Sequence, residues 1–360
     1  VVRKSSITPK EDGRWAQTAR FVMRRPVAVV MLSLIVLTVL AAPIKNIVFS
    51  QVDSRVLPAS NSAALASKII SDRFPGQEGN PIEIIVPNGA TMGTQINQYT
   101  NEIAQVPGIV RIGDSQVSGN DVRVTAIHSM GPRTPAAEVL IKDIRKIRAP
   151  EGTLIGGVAA DYADTQIGIA KTMPWALLWI AIGVLILLFV FTGSIILPIK
   201  AIILNILSLG ATLGVITWIF VDGHLKWLVG DFTVTGSVDT GSIILVAVVA
   251  FGLSMDYEVF LLSRIKEEHD AGRSNVESVA TGLQRSARII TAAAGLLAIV
   301  FASFMLSGVT SIKMLGFGVA FAILLDASLV RALLVPALMR LFGERNWWAP
   351  KAMKRFTINH

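Results

Sequence analysis

Cysteine is absent from the 360 residues. That excludes disulfides, thiolate nucleophiles and cysteine-based metal sites, and it leaves the compartment open. Charge is scarce as well. Asp, Glu, Lys and Arg together make up 16% of the chain against 52% hydrophobic residues, a balance outside the soluble globular class. The histidines His128, His224, His269 and His360 show no metal-ligand spacing. Neither a GxxxxGK(S/T) loop for nucleotide phosphates nor a GxSxG nucleophile turn occurs. No cofactor and no metal are therefore expected, and energy for any transport has to come from an ion gradient.

What the chain has in abundance is long apolar runs. A bilayer core needs about 20 apolar residues in a helix, and six segments qualify: 26–45, 173–192, 196–221, 241–262, 287–308 and 313–341. Trp175, Trp179, Trp218 and Trp347 stand near their ends, where amphipathic rings sit at headgroup depth. The first run follows a long basic segment, 1–25, and exceeds a signal-peptide core, so it reads as a retained span. Because the chain opens on Val1, a longer chain preceding it is expected.

The net charge of +8 is concentrated beside the apolar runs, which points to membrane orientation and away from nucleic acid. Arg20, Arg24 and Arg25 precede the first span, and Lys200 lies between the second and third. Arg264, Lys266, Arg273, Arg285 and Arg288 lie between the fourth and fifth; Arg340, Arg345, Lys351, Lys354 and Arg355 follow the sixth. The opposite connections carry little beyond Lys226 and Lys313. These flanks predict a multi-pass protein of the cell inner (plasma) membrane with both termini, 1–25 and 342–360, cytoplasmic.

Segment 46–170 differs in composition and is assigned outside, between the first span and the five-helix bundle of 171–341. A helical pattern at 62–74 is ended by "FPGQEGNP", a Pro/Gly turn. Then "PIEIIVP" reads as a strand, "TMGTQINQYTNEIAQV" as a helix, "GIVRIG" and "DVRVTAIH" as strands. "TPAAEVLIKDIRKIR" reads as a helix from a Thr cap, and "GTLIGGVA" as a strand. The order β-α-β-β-α-β is the split βαβ arrangement of α+β ferredoxin-like domains, which by itself carries no function.

Within the fourth span, "FGLSMDYEVFLLSR" places Asp256 eight residues, about 12 Å, before Arg264. An ionised Asp in hydrocarbon costs about 2.5–3.5 kcal/mol on insertion scales, and such residues mark ion or proton paths. Tyr257 is a hydrogen-bond donor toward a facing helix, Gly252 allows close helix approach on the Asp256 stripe, and Ser254 adds a small polar position. The structural alternative is a polar residue that glues helices together. Glu258 reads as a solvated or salt-bridged end residue and Arg264 as a snorkelling one. In "LLDASLVRALL", Asp326 and Arg331 are five apart, about 140° round an α-helix, so Asp326 is expected to find its partner on another helix or in water. It serves either a structural network or proton transfer.

The phrases "GRWAQTARFVMRRP", "FGLSMDYEVFLLSRIKEEHDAG", "GLQRSARIITAAAGL" and "LLDASLVRALLVPALMRLFGERNWWAP" together resemble the MMPL (mycobacterial membrane protein large) family of the resistance-nodulation-division superfamily, in its C-terminal half. The resemblance implies an extracytoplasmic porter domain and proton-motive-force-driven export of lipids or other amphiphiles. It makes Asp256 and Tyr257 an Asp-Tyr pair of the proton relay. The facing pair would come from a missing N-terminal half, a second subunit or a second copy. Two other readings are weighed. An intramembrane aspartyl protease built on Asp256 and Asp326 lacks its GxGD motif. An accessory or sterol-sensing-like member would assist secretion or envelope assembly without moving lipid itself.

Overall fold

The computed structural model describes residues 13–74 and 76–350. Lys351, Lys354, Arg355 and His360, the first twelve residues and Pro75 of the Pro/Gly turn lie outside the described residues. Among the described residues the first elements are two amphipathic or apolar helices, α1 (Arg14–Arg24) and α2 (Pro26–Ala41), the latter with proline in its first turn, where no amide is needed. A two-residue strand β1 (Phe49–Ser50) follows, then α3 (Ser62–Arg73), capped by the Asn61 side chain on the Ala63 amide.

The α/β domain comprises β2 (Ile82–Val86), α4 (Gly93–Ala104), β3 (Ile109–Ile112), β4 (Gln116–Ser118), β5 (Asp121–His128), α5 (Pro135–Ile144) and β6 (Leu154–Gly156). Its sheet runs β3-β5-β2-β6 with every neighbour antiparallel, and β4, a strand the sequence pattern does not signal, adds a hairpin on β5. Alternation decides which face packs: Ile82, Ile84 and Val86 point into the core with Val124 and Ala126 opposite them, beneath α4 and α5. Thr134 does sit at the N-cap of α5, but its hydroxyl donates to Gly131 O at 2.7 Å instead of accepting from the helix.

The second apolar helix does not wait for the hydrophobic run at 173. Helix α6 (Val158–Thr192) starts immediately after β6 and buries Ala159, Ala160 and Ala163 in the α/β core. At 1.5 Å per residue it is a rod of about 52 Å, joining the domain to the bundle without a hinge loop. It stops at Gly193, whose φ of 67° is the left-handed conformation that closes helices, with its amide on Phe189 O.

The remaining elements are α7 (Ile196–Ile216), extended by a π turn to Val221; α8 (Lys226–Val229); β7 (Val238–Asp239); α9 (Thr240–Asp270); α10 (Asn275–Ser303); α11 (Thr310–Leu325); a π-helical segment Asp326–Leu334; and α12 (Val335–Phe342). Six helical stretches are long and apolar enough to cross a membrane, running Pro26–Asn46, Val158–Thr192, Ile196–Val221, Thr240–Asp270, Asn275–Leu306 and Thr310–Trp347. The chain is a polytopic membrane protein. Helix α9 packs on α10 and α11, α2 on α7, and α1 lies along α10. Small residues set these approaches: a Cβ on Gly282 would stand 2.8 Å from Ile265 Cα, so only glycine lets α10 meet α9 there.

Between domain and bundle, β1 pairs in parallel with β7, Phe49 opposite Val238 and Ser50 opposite Asp239. The Tyr162 hydroxyl donates to Phe49 O at 3.0 Å, Thr240 Oγ1 donates to Ser50 O at 3.1 Å, and Asp239 caps α9 through the Ser242 amide at 2.7 Å. The first residue of α9 is thus fastened to the strand that leads into the α/β domain.

Candidate functional site

Helix α9 carries the candidate residues on two opposite faces. Gly241, Leu245, Val248, Gly252 and Asp256 recur at helical spacing, and all are exposed. The Asp256 carboxylate makes no hydrogen bond among the described residues, and nothing lies within 4 Å of where a Gly252 Cβ would stand. Here Gly252 does not serve a close helix contact within the chain. It leaves a flat, open strip beside Asp256.

The opposite side of the same turns is buried and polar. Arg331, 2% exposed, is the largest fully buried side chain of the described residues. Its Nη2 donates to Ser254 O at 2.5 Å, with Ser254 Oγ at 3.4 Å, and its guanidinium carbon lies 5.0 Å from the Tyr257 ring centre. A guanidinium over an aromatic face is held by the ring quadrupole, more strongly when water is excluded. The same Nη2 forms an ion pair with Asp326, itself buried.

That pair corrects the expectation that five residues of separation would keep Asp326 and Arg331 apart. The 140° argument holds for an α-helix. Over Asp326–Leu334 the backbone is π-helical, with the Val335 amide on Val330 O, and i→i+5 bonding stacks residues five apart on one face. The wide turn brings the two charges together inside the bundle, where each neutralises the other and neither faces hydrocarbon alone.

Glu258 also departs from its expected place. It is 7% exposed, one turn beyond Ser254, and lines a small cavity of about 10 Å³ with Lys200, Leu197, Leu204, Leu262, Val335, Leu338 and Met339. The cause is the length of α9, which continues past Arg264 to Asp270, so Glu258 is three turns from the helix end. Charges do finish that end. Arg264 pairs with Glu267 at 2.8 Å and lies over Phe260, and Lys266 pairs with Asp270 at 2.6 Å. Arg273 and Arg285 both engage the buried Glu268.

Lys200, expected as a loop charge, is half-buried in the first turns of α7. Its ammonium donates to Asn346 Oδ1 and sits 5.0 Å from the Phe342 ring. The signal for it was a single basic residue inside "IILPIKAIIL". Lys313 is likewise buried, donating to Val229 O at 3.2 Å. A larger cavity, about 20 Å³, lies between β1, β7 and the start of α11 and holds none of the cluster. It is the Arg331 cluster, and not the larger void, that has the chemistry: a buried acid–base array next to an open face bearing a second carboxylate.

The MMPL family model matches residues 55–358. A membrane protein of Streptomyces coelicolor is 37% identical over 349 residues, which cover 96% of this chain and 48% of that protein. The trehalose monomycolate exporter MmpL3 of Mycobacterium tuberculosis (strain CDC 1551 / Oshkosh) is 33% identical over 96% of this chain and 38% of its own length. The mycolic acid-containing lipids exporter MmpL11 of Mycolicibacterium smegmatis is 32% identical over 94% and 37%. The chain thus spans less than half the length of these relatives. With a family model covering most of its residues and relatives aligned along nearly all of this chain, the chain belongs to the MMPL family.

Proposed function

We propose that this chain is one half of a resistance-nodulation-division-type exporter that moves lipids or other amphiphiles outward across the inner membrane, driven by the proton-motive force. Both termini are cytoplasmic, and the α/β domain is the extracytoplasmic porter domain that receives the cargo. Asp256 and Tyr257 form one pair of the proton relay. Lipid as the cargo class is supported by the names of the relatives, a trehalose monomycolate exporter and a mycolic acid-containing lipids exporter. The orientation is supported by the basic residues gathered at the end of the bundle away from the α/β domain.

The observation that carries this reading is the pairing of an open carboxylate with a buried charge cluster across one helix. Asp256 stands on an exposed stripe of α9, while Tyr257 and Ser254 engage Arg331 and Asp326 behind it. The stripe is the face on which a counterpart helix would lie, from a missing N-terminal half, a second subunit or a second copy. When Asp256 takes up a proton it loses its charge and its demand for a counter-ion, and the two helices are free to shift. Release on the cytoplasmic side restores the charged state.

Proteoliposomes holding the complete protein and a labelled glycolipid are expected to export lipid when an inward proton gradient is applied, and to stop when an uncoupler collapses it. Export that persists unchanged after uncoupling contradicts proton driving. A protein that binds the glycolipid but never moves it, with the gradient intact, fits the accessory reading instead.

A further inference from the structure

Helix α1 is fixed to the bundle on one side and bare on the other. Ala16, Ala19, Val22 and Met23 are buried, and the helix packs on α10, α12 and the π-helical segment Asp326–Leu334. The Gln284 side chain of α10 accepts from the Ala16 amide at 3.0 Å, and Arg20 pairs with Glu277 at 3.1 Å. Because 16 meets 284 and 20 meets 277, α1 runs antiparallel along the first turns of α10. That pinning decides which side chains point away.

Arg14, Gln17, Phe21 and Arg24 fall within an arc of about 80° at 3.6 residues per turn. All four are exposed, Phe21 to 71%. Arg25, at the turn into α2, is exposed as well. Other basic residues at this end of the bundle are answered within the chain: Arg20 by Glu277, Arg264 by Glu267, Lys266 by Asp270, Arg273 and Arg285 by Glu268. Arg14, Arg24 and Arg25 meet no carboxylate among the described residues. Past Pro26 the exposed side of α2 turns apolar at once, with Val27, Met31 and Leu32. An aromatic ring among arginines, where charge gives way to a spanning helix, belongs at headgroup depth, the ring against acyl chains and the guanidinium groups at phosphates.

We propose that this outward face of α1 is a binding site for anionic phospholipid. A guanidinium donates two parallel hydrogen bonds to a phosphate, a match that an ammonium lacks, and Phe21 enters the acyl region between the arginines. Three positive charges without a partner in the chain select a lipid of net negative charge over a zwitterionic one. That the leaflet is the cytoplasmic one rests on the orientation proposed above. Since α1 also packs on the π-helical segment, bound lipid braces the turns that carry Asp326 and Arg331.

The test is photocrosslinking of the complete protein in phosphatidylcholine vesicles with a trace of photoactivatable phosphatidylglycerol in both leaflets, the labelled peptides being identified by mass spectrometry. No gradient is applied and both leaflets carry the probe, so the result depends neither on proton-driven export nor on orientation. Wild type is expected to be labelled within 14–25, and unlabelled phosphatidylglycerol is expected to displace that label while added phosphatidylcholine does not. Arg14→Gln, Arg24→Gln and Arg25→Gln together are expected to weaken the association about a hundredfold, about fivefold for each charge. All three side chains are exposed, so melting is expected to stay unchanged; should the triple variant fail to fold, Arg24→Gln and Arg25→Gln singly, each about fivefold weaker, carry the test. Equal displacement by the two lipids, or labelling of 14–25 that the substitutions leave untouched, overturns the site. Displacement by inorganic phosphate at constant ionic strength makes it a soluble-anion site and overturns the lipid assignment. Labelling as expected in a protein that exports nothing leaves this site standing and counts against the transport reading alone.

Discussion

Asp256→Asn keeps the size and polarity of the side chain and removes its capacity to carry a proton, so gradient-driven export is expected to fall to the level of vesicles with no gradient. The magnitude follows from the driving force. One proton descending 100 mV contributes about 2.3 kcal/mol, which biases a two-state bundle about fiftyfold. A variant that cannot take the proton loses that whole bias. The fold is expected to survive, because Asp256 makes no hydrogen bond within the described residues and points outward from its half. Export assayed beside thermal melting in detergent separates the two: unchanged melting with export lost is the expected pattern, and export retained under a gradient contradicts the relay.

A second substitution acts through stability. Asp326→Leu leaves the Arg331 guanidinium buried without its ion-pair partner, its Nε and Nη1 already without hydrogen-bond partners. Removing one member of a buried ion pair costs about 3–5 kcal/mol, a large share of the stability of a domain. The single variant is therefore expected to melt far below wild type or to be recovered in low yield. Adding Arg331→Met removes the stranded charge, and the double variant is expected to recover to within about 1–2 kcal/mol of wild type. Its export stays lost, since nothing then orders Ser254 and Tyr257 from behind. A double variant as unstable as the single one shows that the π-helical segment, and not the charge, is what Asp326 supports.

The membrane helices were legible from apolar length alone, because a bilayer imposes one requirement on every span. The α/β pattern was legible too, through the period-two alternation of Ile82, Ile84 and Val86 and the punctuation around it. Element ends were harder. The polar stretch before Trp175 hides the start of α6, whose alanines at 159, 160 and 163 are small enough for a domain core but carry no helix-start signal. Two-residue strands such as β1 and β7 leave no pattern at all.

Within the site, Asp256 stood out because a charge in an apolar run needs a reason. Its neighbours were misjudged by assuming regular geometry. Treating the sixth span as uniform α-helix separated Asp326 from Arg331, whereas the π turns that join them leave no signal in the local sequence pattern. Taking Arg264 as the membrane boundary exposed Glu258, whereas α9 runs on to Asp270 with its terminal charges paired among themselves. Both errors came from reading one helix without the helices around it.

Everything turns on what covers the open stripe of α9. This chain has no cysteine, so with any cysteine outside it changed to serine, a single nitroxide label attached at Val248→Cys, or at Ile299→Cys on the outward face of α10, reports its own surroundings. Val248 and Ile299 are both exposed within the chain, 57% and 71%. In the complete protein in bilayers, the label at 248 is predicted to be immobilised and shielded from membrane-dissolved oxygen, while the label at 299 collides with it freely. Equal, high oxygen accessibility at the two positions would put Asp256 against lipid tails, with no facing helix to exchange a proton across.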